Sequence, residues 1–417
     1  MLPLEGLLVL DLAQYLAGPS ATLRLADLGA RVVKVERPGV GDGSRQLVLA
    51  DLVVPDDGDD AEPARPTSAR ERTGESLLFH TLNRGKESLA VDLANDTDRA
   101  RLLSLLRHTD VVVHSFRPDA LERYGLGYDD VREINPRLVY AHVTGYGEEG
   151  PWRMLPGQDL LVQARTGLAW LGGTASDPPE PIGLSVVDQL AGAYLVQGVL
   201  ACLVRRNVTG RGGLVQVSLL EAAMDLQVEV FTAYLNGGGT PVRSAVSAAH
   251  PFLGAPYGIY QTRDGWLALA MGPLPRLAEL VGVPDLLDVT AQDGDADPAG
   301  ARNEPWSTRD AVKRRLATVL STRTTGEWLS ILEPAGYWCA EVRDWPALEE
   351  SGALDALRLV AECRSDGRTF RTTRCPIRID GQPLQVGGVG PRLGQHSALP
   401  DEPVSTGQRD TSGATQD

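Results

Sequence analysis

LLVLDLAQYLAGPSATLRLADLGARVVKVE, from Leu7 to Glu36, sets two short apolar runs on either side of a segment with helical spacing. LLVLDLA (Leu7 to Ala13) reads as a buried strand and RVVKVE (Arg31 to Glu36) as a second strand. SATLRLADLGA (Ser20 to Ala30) between them predicts a helix. The alternation continues with a predicted helix over Arg99–His108, a strand over Asp110–Phe116, a helix over Asp119–Gly125 and a strand over Arg137–Val143. A long apolar helix from about Asp188 to Arg206, a strand over Leu214–Leu219 and a helix through about Tyr234 extend it. Such a pattern predicts an α/β fold, with helices packed over a parallel sheet.

The chain has 417 residues, beyond the roughly 250–300 at which one hydrophobic core stops growing. We expect a large domain over residues 1–223, a linker helix and Gly-rich connection over 224–249 and a small α+β domain over 250–336. A return to the large domain over 337–400 and a polar tail over 401–417 complete it. The small domain rests on a hairpin pattern with a D-G turn (Ala255 to Gly272) and a helical stretch (Ala311 to Gly336). The acidic, aperiodic stretch Val54 to Glu75 predicts a solvated loop.

A net charge of -15 argues against nucleic acid as a partner, because phosphate neutralisation needs a basic face. No uninterrupted apolar run reaches the length of a bilayer span, and the N-terminus lacks a secretory pattern. A cytoplasmic protein with no membrane partner is expected. The four cysteines are scattered without C-x-x-C pairs or nearby histidines, so no metal site and no disulfide framework is indicated.

GYGEEG (Gly145 to Gly150) fits the dinucleotide fingerprint literally, yet Pro151 and Trp152 follow at once and no helix opens there. None of the six histidines has a nucleophile and carboxylate beside it in the pattern of a hydrolase triad. Arg37, just past the second strand, and Ser115, Phe116 and Arg117, past the third, stand where ligands bind in open α/β sheets; Arg123 follows a little later. Taken singly, each arginine reads as a solvated surface residue; together they have the chemistry of a phosphate clamp.

PIGLSVVDQLAGAYLVQGVLACL (Pro181 to Leu203) has one charged residue, Asp188, at the head of an apolar helix. An N-cap accounts for it, since a carboxylate accepts free backbone N–H groups at a helix start. A working carboxylate is the other reading, and the stretch alone favours the cap. Asp159, near another helix start, poses the same choice.

LEGLLVLDLAQYLAGPSATLRLADLGARVVKVERPGVGDGSR, NRGKESLAVDL, DVVVHSFRPDALERYGLGYDDVREINPRLVYAHVTGYGEEGP, QDLLVQARTG, TGRGGLVQVSLLEA, APYGIYQTRDGW and RLGQH occur in this order over nearly the whole chain. Together they resemble the family III CoA-transferases, the group of carnitine and formate CoA-transferases. The resemblance implies a Rossmann-like large domain, a smaller domain and an interlinked homodimer. It also implies an acyl-CoA and a carboxylic acid as substrates, with CoA thioester as substrate and not a permanently bound cofactor. VVDQLAG matches the family's nucleophile turn, which makes Asp188 the nucleophile of a covalent aspartyl intermediate and Asp159 its supporting acid. Ala17, Arg37, Val91, Ser115, Phe116 and Arg123 match positions that line the CoA groove.

Leu16 stands where formate CoA-transferase has a glutamine and Gln158 where it has a tyrosine, so formyl or oxalyl specificity does not follow. SAAHPFLG replaces the glycine run ahead of APYG. The fold also hosts 2-methylacyl-CoA racemases, whose catalytic histidine corresponds to Gln158; glutamine cannot accept and return a proton at neutral pH. Transfer therefore outweighs racemisation. A CoA-binding accessory subunit without turnover is the non-enzymatic alternative, and the presence of Asp188 counts against it.

Overall fold

The computed structural model describes residues 2–55, 63, 65, 74–288, 304–384 and 387–397. The chain divides into two compact units, one of Met1–Asp159, Val186–Ala222 and Leu354–Asp417, the other of Leu160–Ser185 and Ala223–Ala353.

The first unit is built in chain order from β1 (Leu8–Asp11), α1 (Ala17–Asp27), β2 (Arg31–Glu36), α2 (Leu77–Asn83), β3 (Glu87–Ala90), α3 (Asp96–Leu106), β4 (Val111–His114), α4 (Tyr128–Ile134) and β5 (Val139–Thr144). After α5, which starts at Asp159 and ends at Arg165, come α6 (Val186–Thr209) and β6 (Gly213–Ser218). The six strands form one sheet in the order β3-β2-β1-β4-β5-β6. Every pairing is parallel, with Leu10 opposite Val33 on one side and Val112 on the other. The order reverses between β1 and β4, the place where an open α/β sheet leaves a crevice at its strand C-termini.

β1 and β4 are buried at every position, which is why they read as continuous apolar runs. Leu10, Val33, Leu89, Leu102, Val112, Leu121, Val131 and Tyr140 form the core beneath. Each fully buried leucine contributes about 2 kcal/mol of transfer free energy. β3 was missed by the alternation because ESLA is short and half polar. Its strand edge is covered by the late RLGQH segment: the His396 N–H donates to the Ser88 carbonyl at 2.9 Å and the Ser88 N–H to His396 Nδ1 at 3.1 Å.

The helix expectations need local correction. The predicted helix over Asp119–Gly125 is only a 3-10 turn, Glu122–Tyr124, because Asp119 takes φ +61°, which no α-helix admits. The helix Tyr128–Ile134, unforeseen, follows it. α6 has the length and hydropathy of a membrane span, the one such helix among the described residues. Its stripe of Val187, Ala191, Leu195, Val199 and Cys202 is nevertheless buried within the unit.

The second unit holds an antiparallel sheet of β7 (Gly258–Gln261), β8 (Trp266–Leu269) and β9 (Cys339–Glu341), in the order β9-β8-β7. The expected D-G turn, Asp264-Gly265, joins β7 to β8. Helices Leu274–Val281 (α7), Glu304–Leu320 (α8) and Thr325–Leu332 (α9) supply Leu277, Leu316, Leu320, Trp328 and Leu332 to its core. The single helical stretch expected over Ala311–Gly336 is two helices. Thr324 and Glu327 form a capping box that starts α9, a signal legible as T-x-x-E. The acidic stretch Val54 to Glu75 lies largely outside the described residues, and the tail over 401–417 lies wholly outside them.

Candidate active site

Asp188 is the third residue of α6, not its N-cap, because the helix begins at Val186. The cap comes from another segment. Asp159 Oδ2 accepts the N–H of Val187 at 2.7 Å and that of Asp188 at 3.0 Å, meeting two of the donors a helix start leaves free. Asp159 is buried. The loop that delivers it crosses the end of β5 at a glycine pair: a Cβ on Gly157 would lie 2.3 Å from Gly145 Cα. The first glycine of GYGEEG thus serves backbone approach, and no helix follows it, as the sequence implied.

Burial first, and the Asp159 carboxylate second, push the Asp188 carboxyl up to about 7. Among the described residues none donates a hydrogen bond to the Asp188 side chain. One turn later on the same face, Gly192 lets α6 touch the start of α1. A Cβ there would lie 2.2 Å from Ser20 Oγ and 2.7 Å from the Ala17 carbonyl oxygen. The D-x-x-x-G spacing therefore places the carboxylate one helical turn from the contact of α6 with the first turn of α1.

A cavity of about 470 Å³ opens at the C-terminal ends of β1, β2, β3 and β4, at the reversal of strand order. Arg37, Val91 and Phe116 line it, with Ala13, Gln14, Lys34, Asp42 and Tyr124. Ser115 is next to it and uses its hydroxyl to accept the Gln14 N–H at 3.0 Å. Ala17 opens α1. Arg123 is exposed beside Tyr124. Arg117 lines a different cavity of about 440 Å³, with His114, Tyr128, Tyr140, His142 and Glu148. A third cavity of about 900 Å³ in the second unit, lined by Tyr257, Ile259, Ala268, Trp338 and Cys339, contains none of the candidate catalytic or CoA-binding residues.

Sequence reasoning missed the charges beneath the first cavity. Lys34, in the middle of β2, is wholly buried and pairs with Asp42 at 2.8 Å and Asp11 at 3.6 Å. Lys86 Nζ donates to Asp11 Oδ2 at 2.9 Å and to Thr22 Oγ1 and Asn83 Oδ1, both at 2.8 Å. The signal was present: Asp11 and Lys34 interrupt strands buried on both faces, and a charge there must find a partner. Among the described residues no cluster of three His, Cys, Asp or Glu side chains is arranged to hold a metal ion.

The profile of CoA-transferase family III matches residues 4–397. The chain is 32% identical over 391 residues to acetyl-CoA:oxalate CoA-transferase of Acetobacter aceti, covering 93% of this chain and 90% of the relative. It is also 32% identical over 408 residues to succinate–glutarate CoA-transferase of Agrobacterium fabrum, covering 95% and 94%. Among solved structures it is similar to Rv3272 from Mycobacterium tuberculosis, with 29% identity, a TM-score of 0.75 and coverage of 95% of this chain and 99% of that one. A CAIB/BAIF family protein from Brucella suis gives 28% identity, a TM-score of 0.75 and coverage of 95% and 98%. An α/β chain with a six-stranded parallel sheet and this family match belongs to CoA-transferase family III. It is a CoA-transferase, and CoA-transferases use CoA thioesters as substrates.

Proposed function

We propose that the protein moves CoA from an acyl-CoA donor to a carboxylic acid through a covalent intermediate on Asp188. The observation that carries this reading is the Asp188 carboxylate, drawn from water, raised to about 7 and set beside a second carboxylate that caps its helix. A carboxylate is a weak nucleophile in water and a stronger one where water is scarce. Asp188 attacks the thioester carbonyl and expels CoA thiolate, giving an aspartyl acyl anhydride. The thiolate then attacks the aspartyl carbonyl, releasing the donor acid and leaving CoA as a thioester on Asp188. The acceptor carboxylate attacks that thioester, again expelling thiolate, and the thiolate takes the new acyl group and frees Asp188.

In this reading Arg37 and Arg123, exposed and without an ion-pair partner among the described residues, receive CoA phosphates. The working form is a homodimer, whose second copy would cover the exposed Val204 and Val208 on α6. Sedimentation giving only the single-chain mass would remove that part. The central claim is tested by incubating the protein with acyl-CoA and hydroxylamine and mapping the modified peptide. The hydroxamate is expected on Asp188 and absent in Asp188→Asn. Full turnover by Asp188→Asn would end the covalent mechanism.

A further inference from the structure

The loop Ala13–Leu16 joins β1 to α1 and forms one wall of the 470 Å³ cavity through Ala13 and Gln14. Its backbone is held almost group by group from below. The Ala13 N–H donates to Asp11 Oδ1 at 3.0 Å, and the Ala13 carbonyl accepts from Lys34 Nζ at 2.9 Å. The Gln14 N–H donates to Ser115 Oγ at 3.0 Å, and the Tyr15 N–H to Asp42 Oδ1 at 3.0 Å. Asp42 Oδ2 is in turn 2.8 Å from Lys34 Nζ.

Two features set this arrangement apart from ordinary packing. Tyr15 adopts φ +64°, a left-handed conformation that costs an L side chain about 1–2 kcal/mol, and its side chain is exposed, so burial does not offset the strain. Lys34 and Asp42 are both fully buried. Desolvating an ion pair costs several kcal/mol per charge, and an apolar pair of similar volume is often as stable. What an apolar pair cannot do is fix the peptide groups of a strained loop. That loop also ends at the first turn of α1, which Gly192 brings against the helix of Asp188. A shift of the loop moves both the cavity wall and the neighbour of the nucleophile.

We propose that Lys34 and Asp42 are positioning residues for CoA: their buried ion pair holds the loop Ala13–Leu16 in the shape that receives the thioester. The inference rests on the assignment of the 470 Å³ cavity to CoA. Neither side chain touches the reacting atoms.

The test compares Asp42→Ala, Asp42→Asn, Ser115→Ala and the double variant Asp42→Ala with Ser115→Ala, with Arg37→Ala marking the CoA site. Calorimetry with CoA, steady-state kinetics and thermal melting are read together. Asp42→Ala is expected to weaken CoA about tenfold and to raise KM for acyl-CoA similarly, while kcat changes less than about threefold. Asp42→Asn, whose Oδ1 still accepts the Tyr15 N–H, is expected to keep part of the affinity. The double variant should weaken CoA by less than the product of the single effects, because both substitutions free one loop.

A merely structural role would lower the melting temperature and leave CoA affinity and KM unmoved. If Asp42→Ala fails to fold, Asp42→Asn and Ser115→Ala decide: wild-type CoA affinity in both overturns the proposal, and weakened affinity in both supports it. Wild-type affinity in the Asp42 variants, with weakened affinity in Arg37→Ala, overturns the positioning role alone. Wild-type affinity in Arg37→Ala as well overturns the assignment of the cavity and the proposal with it.

Discussion

Asp159 caps the helix that carries Asp188, its Oδ2 accepting N–H groups at 2.7 Å from Val187 and at 3.0 Å from Asp188 itself. One carboxylate therefore orients the backbone of the other and also repels its charge. The two N–H donors compensate the Asp159 anion, and the cost of a second negative charge falls on Asp188.

A pH dependence follows. Asp188, with its pKa pushed up to about 7 by burial and then by Asp159, is half protonated near neutrality, and in the proposed mechanism only the ionised form attacks. The acid limb of kcat/KM should fall below about pH 7 with a slope of one. Asp159→Asn keeps an oxygen acceptor for the cap and removes the repelling charge. It should move the limb toward lower pH by about one unit, the smaller share, since burial is the larger cause. The stability linkage has the opposite consequence for the fold. A pKa raised on folding gives stability that is complete below the unfolded value and lost as pH rises through the folded one. Asp188→Asn should therefore stabilise the protein at pH 8 by about 1–3 kcal/mol, and by little at pH 4. An acid limb unmoved by Asp159→Asn, or no difference in melting at pH 8, would show that Asp188 is not under this strain.

The contact of α6 with α1 leads to a second expectation. In Gly192→Ala the new methyl meets Ser20 Oγ at 2.2 Å and the Ala17 carbonyl at 2.7 Å, and a backbone oxygen yields less readily than a side chain. Overpacking of this kind costs about 1–3 kcal/mol, and displacing Asp188, the proposed nucleophile, by about 1 Å should lower kcat/KM by up to about a hundredfold. Adding Ser20→Ala relieves only the hydroxyl clash and should restore part of the melting temperature. Unchanged kinetics and melting in Gly192→Ala would mean that the helices part without consequence for Asp188.

The strands of the sheet were legible because β1 and β4 are buried at every position and β2 at most of them, which favours short, largely apolar runs. Asp188 was legible as a candidate, but the cap reading left open beside it does not hold, since the helix start is capped by Asp159 from another segment and nothing local announces it. Arg37 and Phe116, read from their places after strands, meet at one cavity with Val91, which came through resemblance alone, whereas Arg117, also taken from its place after a strand, lines another. The Lys34–Asp42 pair shows a further limit. Position in a buried strand signals that Lys34 needs a partner, a signal the sequence reading passed over, but not that the partner comes from the turn after the same strand or that a loop hangs from both.

The last expectation separates transfer from proton exchange at carbon and rests on Gln158. This residue is exposed immediately before Asp159, and its amide can neither take nor return a proton at neutral pH. In D2O, a 2-methylacyl-CoA incubated with the protein should keep an unlabelled α-carbon while isotopically labelled free acid enters the CoA thioester pool. Asp188 alone could remove a proton, but racemisation also needs an acid on the opposite face of the carbon, and the residue aligned with that role is this amide. Gln158→His supplies an imidazole there, and deuterium wash-in that appears only in this variant would tie the block to the side chain. Deuterium incorporation by the wild-type protein at a rate matching turnover would show that another group serves as the second base. The transferase chemistry on Asp188 would then share its site with proton exchange, and the reading of Gln158 as the residue that forbids it would have to be given up.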